Sequence, residues 1–317
     1  MKKKVLLGIK IAVSAGVLGY LLRQVDLSQL KLHYSLLNIV LLLLPLLILI
    51  VQISLSTLKW RIILGAERLD VPYLFLWKSY SISNFISLFL PTSFGGDVYR
   101  VYSLKRYNLD LIQNASSVAF DRITGLFALT SIAVFSNAIF YEKVIGYPFL
   151  FLYGIGIILF WYLSADKTLG YLEQVRYTWL RPLKRIFHSF NKYRSDRRVL
   201  WKSLLISLLF QNNIIWIVKF YCMALGVNIG IQFLYMIVPV IYLTEALPIS
   251  INGLGLREGA FVFFFIQLGH TKEEAIAVSL LVIAMRYLVA TLLGGSLLAT
   301  SLLRLGGNEE EQKVMPG

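Results

Sequence analysis

The chain is poor in the residues on which cross-linking and most catalysis depend. Among its 317 residues stands one cysteine, Cys222, so no internal disulfide can form. Three histidines, His33, His188 and His270, are scattered along the sequence and give no metal-ligand cluster. There is no P-loop, which argues against direct ATP drive, and no nucleophile–histidine pair in an apolar context. Acidic residues are also scarce: 17 Asp and Glu face 31 Lys and Arg, a formal net charge of +14. No base-reading motif accompanies the excess, so its placement, and not its size, has to explain it.

What is abundant is apolar sequence. With 57% apolar residues and a mean hydropathy of +0.70, the chain departs from ordinary soluble domains. Runs such as Leu37–Leu58 are long enough to span ~30 Å of hydrocarbon at ~1.5 Å per residue. The pattern predicts an all-α polytopic membrane protein with full crossings at 5–22, 37–57, 115–139, 145–163, 201–222 and 275–303. Residues 1–303 read as a single membrane domain and 304–317 as a polar tail. The first 22 residues imitate a secretory signal, but no small-x-small cleavage site follows, so they read as an uncleaved first helix.

Charge placement predicts orientation. With the N-terminus inside, the cytoplasmic segments hold 21 Lys or Arg, including three in 58–72 and ten in 164–202. The outside loops hold four: Arg23, Lys31, Lys143 and Lys272. This positive-inside bias places both termini in the cytoplasm of a cell membrane. The basic loop 164–200 is expected to lie on the cytoplasmic leaflet, attracted by anionic lipid rather than by nucleic acid. The Asn114-Ala-Ser116 sequon falls on the same side. Lys10 and Lys219, inside expected spans, are read as snorkelling.

Two stretches break the pattern, and both carry proline–four residues–glycine–three residues–arginine. One copy runs from Pro91 through Gly96 to Arg100, the other from Pro248 through Gly253 to Arg257. Tyr73–Leu90 is too polar for a lipid-facing helix, and the piece after its break, Asp97–Leu104, is too short to cross. Ile229–Leu247 contains Pro239 and Glu245, and the piece after its break, Ala260–Leu268, covers about half the hydrocarbon. Thr271-x-x-Glu274 then reads as a capping box that opens the last helix. Each unit reads as a re-entrant hairpin followed by a long crossing with a buried arginine, Arg122 or Arg286. The two form an inverted repeat whose tips meet near the midplane. Eight conventional spans is the alternative count.

Eight ionisable residues fall in or beside this core: Asp97, Arg100, Asp121, Arg122, Glu245, Arg257, Glu258 and Arg286. At bilayer centre each costs ~2.5–3.5 kcal/mol on insertion scales. The four arginines could grip a lipid phosphate through their planar forks, with the four acids holding the forks in place. Static interhelical ion pairs are the alternative reading. Gly95, Gly96, Gly253 and Gly255 permit tight turns and could aim backbone N–H groups at an anion. Pro91 and Pro248 read as helix breakers. NGLGLREG lacks the spacing and context of a nucleotide fingerprint. Gly294, Gly295 and Ala299, after Ala290, read as packing contacts.

FLPTSFGGDVYR (89–100), AFDRITG (119–125) and ALPISINGLGLREG (246–259) resemble the lysylphosphatidylglycerol synthase transmembrane-region family, also called flippase-like proteins. That family includes the lipid-flipping half of multiple peptide resistance factors, and the resemblance covers essentially the entire chain. Asn252 stands where the family often has the first of a glycine pair. The soluble aminoacyl-transfer domain of bifunctional synthases is not recognised here, so the family name does not carry over as an activity. The resemblance implies a lipid flippase or translocator handling a phosphate-bearing, aminoacylated or glycosylated headgroup, with no catalytic residue, metal or cofactor. Membrane lipids are the expected partners; a lipid- or glycan-synthesis enzyme and a second copy of the chain remain open. A membrane-embedded lipid transferase using Asp121 or Glu258, and a secondary transporter of a small solute, are the alternatives.

Overall fold

The computed structural model describes residues 39–67, 69–90, 95–107, 110–140, 153–155, 181–246, 250 and 253–301. These residues form helices, with no strand among them. In chain order we label α1 Ile39–Ala66, α2 Tyr73–Phe89, α3 Gly95–Ser103, α4 Leu111–Phe140 and α5 Arg181–Ser195. Then follow α6 Arg197–Ala224, α7 Ile231–Ala246, α8 Leu256–Gln267 and α9 Lys272–Ala290. The α9 axis continues through one π-helical turn, Thr291–Gly295, to Ser301.

Four helices, α1, α4, α6 and the extended α9, are long and apolar enough to cross a bilayer. They answer the crossings expected at 37–57, 115–139, 201–222 and 275–303, so the chain is an all-α, multi-pass membrane protein. The crossing at 5–22, nearly all of that at 145–163, both prolines Pro91 and Pro248, and the tail 304–317 lie outside the described residues. Lipid-facing side chains are apolar, as along Ile39, Val40, Leu43, Leu47 and Val51 of α1.

Two ranges expected as loop are helix. α1 runs on to Ala66, because Ile62, Ile63 and Leu64 continue its apolar pattern past Lys59 and Arg61. In the second half of the basic loop Arg181–Ser195 form α5, whose aromatic side lies against α4. There Tyr193 is buried, its ring 5.1 Å from Phe120. Outside that contact, Lys192 pairs with Glu67 at 2.6 Å and Arg185 with Asp110 at 2.9 Å. The next helix then starts at Arg197, because the Asp196 carboxylate accepts the N–H groups of Arg198 and Val199.

The described chain falls into two units of the same order, a long helix, a helical hairpin and a second long helix. The lengths are 28, 17, 9 and 30 residues for α1–α4. They are 28, 16, 12 and 30 residues for α6–α9 with its extension. At ~1.5 Å per residue, α3 and α8 reach only ~13 and ~18 Å, about half the hydrocarbon depth.

Between helices in lipid there is little hydrophobic drive, so small residues and polar bonds hold them together. The serines of α2 serve this purpose. A Cβ on Gly96 of α3 would stand 2.2 Å from the Ser83 carbonyl, so only glycine lets α3 close onto α2. On the other side of α2, Gly294 lies equally close to the Ser81 carbonyl. Gly294 and Gly295 are therefore packing contacts whose partner is the first hairpin, whereas Ala299, expected to pack with them, is exposed and Ala290 lines the cavity. Pro239 removes the N–H that would bond the Tyr235 carbonyl four residues earlier. Ser136 of α4 donates to that carbonyl at 2.8 Å, which makes up the loss and docks α7 on α4. Asn114 is fully buried and donates to Val101 O at 3.1 Å, so the sequon is structural.

Candidate functional site

The two hairpins bring all eight sequence-predicted charged residues into two ion-pair clusters on one cavity. In the first, Arg100 of α3 contacts Asp97 at 3.3 Å and Asp121 of α4 at 2.9 Å. Arg122, next along α4, donates from Nε to Asp97 at 2.8 Å. The Arg100 guanidinium lies between the Trp60 and Tyr80 rings, 4.4 and 4.5 Å from their centroids. Such a cation–π sandwich holds a desolvated guanidinium flat. In the second cluster, Arg257 contacts Glu245 of α7 and its neighbour Glu258, each at 3.1 Å. Arg286 of α9 meets the same Glu245 at 2.8 Å.

Sequence reasoning missed a ninth charge. Lys59, counted there among loop cations, is buried in α1. Its Nζ lies 2.7 Å from the Asp121 carboxylate and donates to Asp121 O and to Ser207 Oγ of α6. The signal was the apolar run beyond it, which shows that the helix continues and carries Lys59 inside. Lys219 differs: it donates to Ile229 O, past the end of its helix, as a snorkelling lysine does.

The cavity encloses about 350 Å³. Its charged lining is Lys59, Asp121, Arg122, Glu245, Arg257 and Arg286. Neutral polar groups, among them Gln52, Tyr80, Asn84, Gln211 and Tyr242, complete it. Asp97, Arg100 and Glu258 stand behind the wall. Exposure divides the arginines into two sorts. The side chains of Arg100 and Arg257 are 1% and 3% exposed, whereas those of Arg122 and Arg286 are 45% and 50% exposed. The first two are braces for the hairpins; the second two, one from each long helix, open into the cavity.

The glycines position these groups. Gly95 opens α3 beside Leu90, and Gly96 gives the close approach to α2 described above. Gly253 has φ 77° and lies so near Glu245 that a Cβ would come within 2.3 Å of its Cγ. The Gly255 N–H, a candidate for an anion, donates instead to the Glu258 carboxylate at 2.5 Å. Glu258 also accepts from Arg257 and from Ser279 Oγ of α9, so it ties turn, hairpin and long helix together. Wall charges of opposite sign, set among largely apolar side chains, suit a charged headgroup or solute.

Comparison with known families gives one finding: the family model described as "Lysylphosphatidylglycerol synthase TM region" matches residues 7–294. No curated protein matches the chain.

Proposed function

The chain belongs to the lysylphosphatidylglycerol synthase TM region family, and from that premise we propose that it carries a phosphate-bearing lipid headgroup across the cytoplasmic membrane. One observation supports this above the rest: Arg122 and Arg286, from the two units, are the half-exposed arginines of a single cavity between the hairpins. A guanidinium stays charged when desolvated and matches phosphate oxygens with two parallel N–H donors. A static ion-pair scaffold gains nothing from leaving two guanidinium groups half open.

In this reading the hairpins are re-entrant, related as an inverted repeat, and both termini are cytoplasmic. The headgroup enters from one leaflet, is held by Arg122 and Arg286, and leaves to the other while its acyl chains trail in lipid. Asp97 and Glu245 hold the two arginines while the cavity is empty, and Arg100 and Arg257 keep those carboxylates fixed. The cavity transports without chemistry, since its acids are engaged with cations rather than poised as a base or nucleophile.

The test is reconstitution into vesicles carrying an acyl-labelled phospholipid and a membrane-impermeant quencher. Protein-dependent loss of the inner leaflet's signal is expected. Arg122→Gln and Arg286→Gln should each slow it at least tenfold, the rate equivalent of about 1.4 kcal/mol. A rate equal to protein-free vesicles, or unchanged in both variants, overturns the proposal.

A further inference from the structure

Among the described residues the charges around the cavity do not balance, and we infer that the site selects a headgroup with one net negative charge: a phosphodiester bearing a neutral, hydroxylated substituent, not one bearing an ammonium group. The inference rests on the translocation reading above and narrows its substrate.

The imbalance belongs to the first cluster. There Lys59, Arg100 and Arg122 meet Asp97 and Asp121, three cations against two carboxylates. In the second, Arg257 and Arg286 meet Glu245 and Glu258, two against two. Among the described residues of the two clusters the cations exceed the carboxylates by one, and the extra cation is Lys59. An uncompensated charge in a membrane cavity is costly, and a monoanion brings the whole constellation to neutrality. A zwitterionic headgroup leaves the excess in place, and a cationic one increases it.

Nor does the lining offer an ammonium a place. Its carboxylates are those of Asp121 and Glu245. Asp121 already faces Lys59 and Arg100, and Glu245 faces Arg257 and Arg286. The uncharged polar groups of an otherwise largely apolar wall, Gln52, Tyr80, Asn84, Gln211 and Tyr242 among them, suit hydroxyl groups. The volume of about 350 Å³ sits at the small end of ligand pockets, sized for a headgroup whose acyl chains stay outside.

The experiment compares acyl-labelled phosphatidylglycerol, phosphatidylethanolamine and lysyl-phosphatidylglycerol in the same proteoliposomes. In parallel, binding of short-chain phosphatidylglycerol and phosphatidylethanolamine to the detergent-solubilised protein is measured. Phosphatidylglycerol should move, and its short-chain form bind, at least tenfold better than the ammonium-bearing lipids. Deacylated glycerophosphoglycerol should displace the bound lipid; lipid that it does not displace is held elsewhere, and the inference falls. Lys59→Met, which makes the count four against four, should reduce the preference below threefold. Lys59→Met with Asp121→Asn, four against three, should restore it, which a purely structural role for Lys59 does not predict. If these variants do not fold, the lipid comparison on the unaltered chain still decides. Movement of all three lipids at one rate overturns the inference and leaves translocation standing. Selective binding without movement overturns translocation and leaves the inference standing.

Discussion

The two hairpins reach one cavity with different wiring. In α2–α3 and α4, the arginine after the break is clamped by two aromatic rings and two carboxylates, one of which also receives a lysine. In α7–α8 and α9, the corresponding Arg257 is held by two glutamates without a lysine. The difference traces to single positions. Asp121 precedes Arg122 on its long helix, whereas Met285 precedes Arg286. Lys59 stands 14 residues before α2 and Lys219 12 before α7, yet Lys219 finds a loop carbonyl instead of an acid. Where the acid is present the lysine is drawn into the core; where methionine replaces it the lysine points to the helix end. A repeated backbone plan can therefore hold two charge states: among the described residues, balanced on one side and positive on the other.

The comparison breaks most visibly at its acids. Asp121→Ala strips a carboxylate from two buried cations and should cost about 3–5 kcal/mol, read as thermal unfolding in detergent. Glu258→Gln leaves Arg257 paired with Glu245 and should cost about 1–3 kcal/mol. Equal losses would mean that the clusters are braced alike. The turns come next. Gly96→Ala drives a Cβ into the rigid Ser83 carbonyl and should cost about 1–3 kcal/mol. Gly253→Ala meets the Glu245 side chain first, with the Glu245 Cα at 3.2 Å, and its left-handed backbone should add a cost of about 1–2 kcal/mol. Ser136→Ala, which leaves the Tyr235 carbonyl beside Pro239 without its donor, should cost about 1 kcal/mol and has no counterpart in the first hairpin. Smallest is Arg286→Gln: Glu245 keeps Arg257, so stability should change by less than ~1 kcal/mol even as transport falls.

Much of the fold was legible from local pattern. Tyr73–Leu90 was set apart by its serines, and the helix found there ends at Phe89. The capping box at Thr271 and Glu274 forms as read, with Thr271 Oγ1 accepting the Glu274 N–H and the Glu274 carboxylate accepting the Thr271 N–H. Lys59 was not legible in the same way. A lysine near the end of an apolar run looks like a flank, and only the roughly two helical turns after it, to Ala66, make it interior. Nor could sequence divide Arg100 from Arg122. Both are arginines beside carboxylates, but one lies between two rings contributed by different helices and the other opens into the cavity.

Sequence by itself determined that this chain lives in a membrane, that two of its helical stretches break around glycine, and that acids and arginines fall among its apolar helices. These follow from hydropathy, helix length and residue type, which are local quantities. Tertiary structure alone decided which charges pair, which arginines remain open, and that a lysine from the first described helix tips the balance. Burial and pairing depend on atoms brought together from helices far apart in sequence, and no local pattern records those distances.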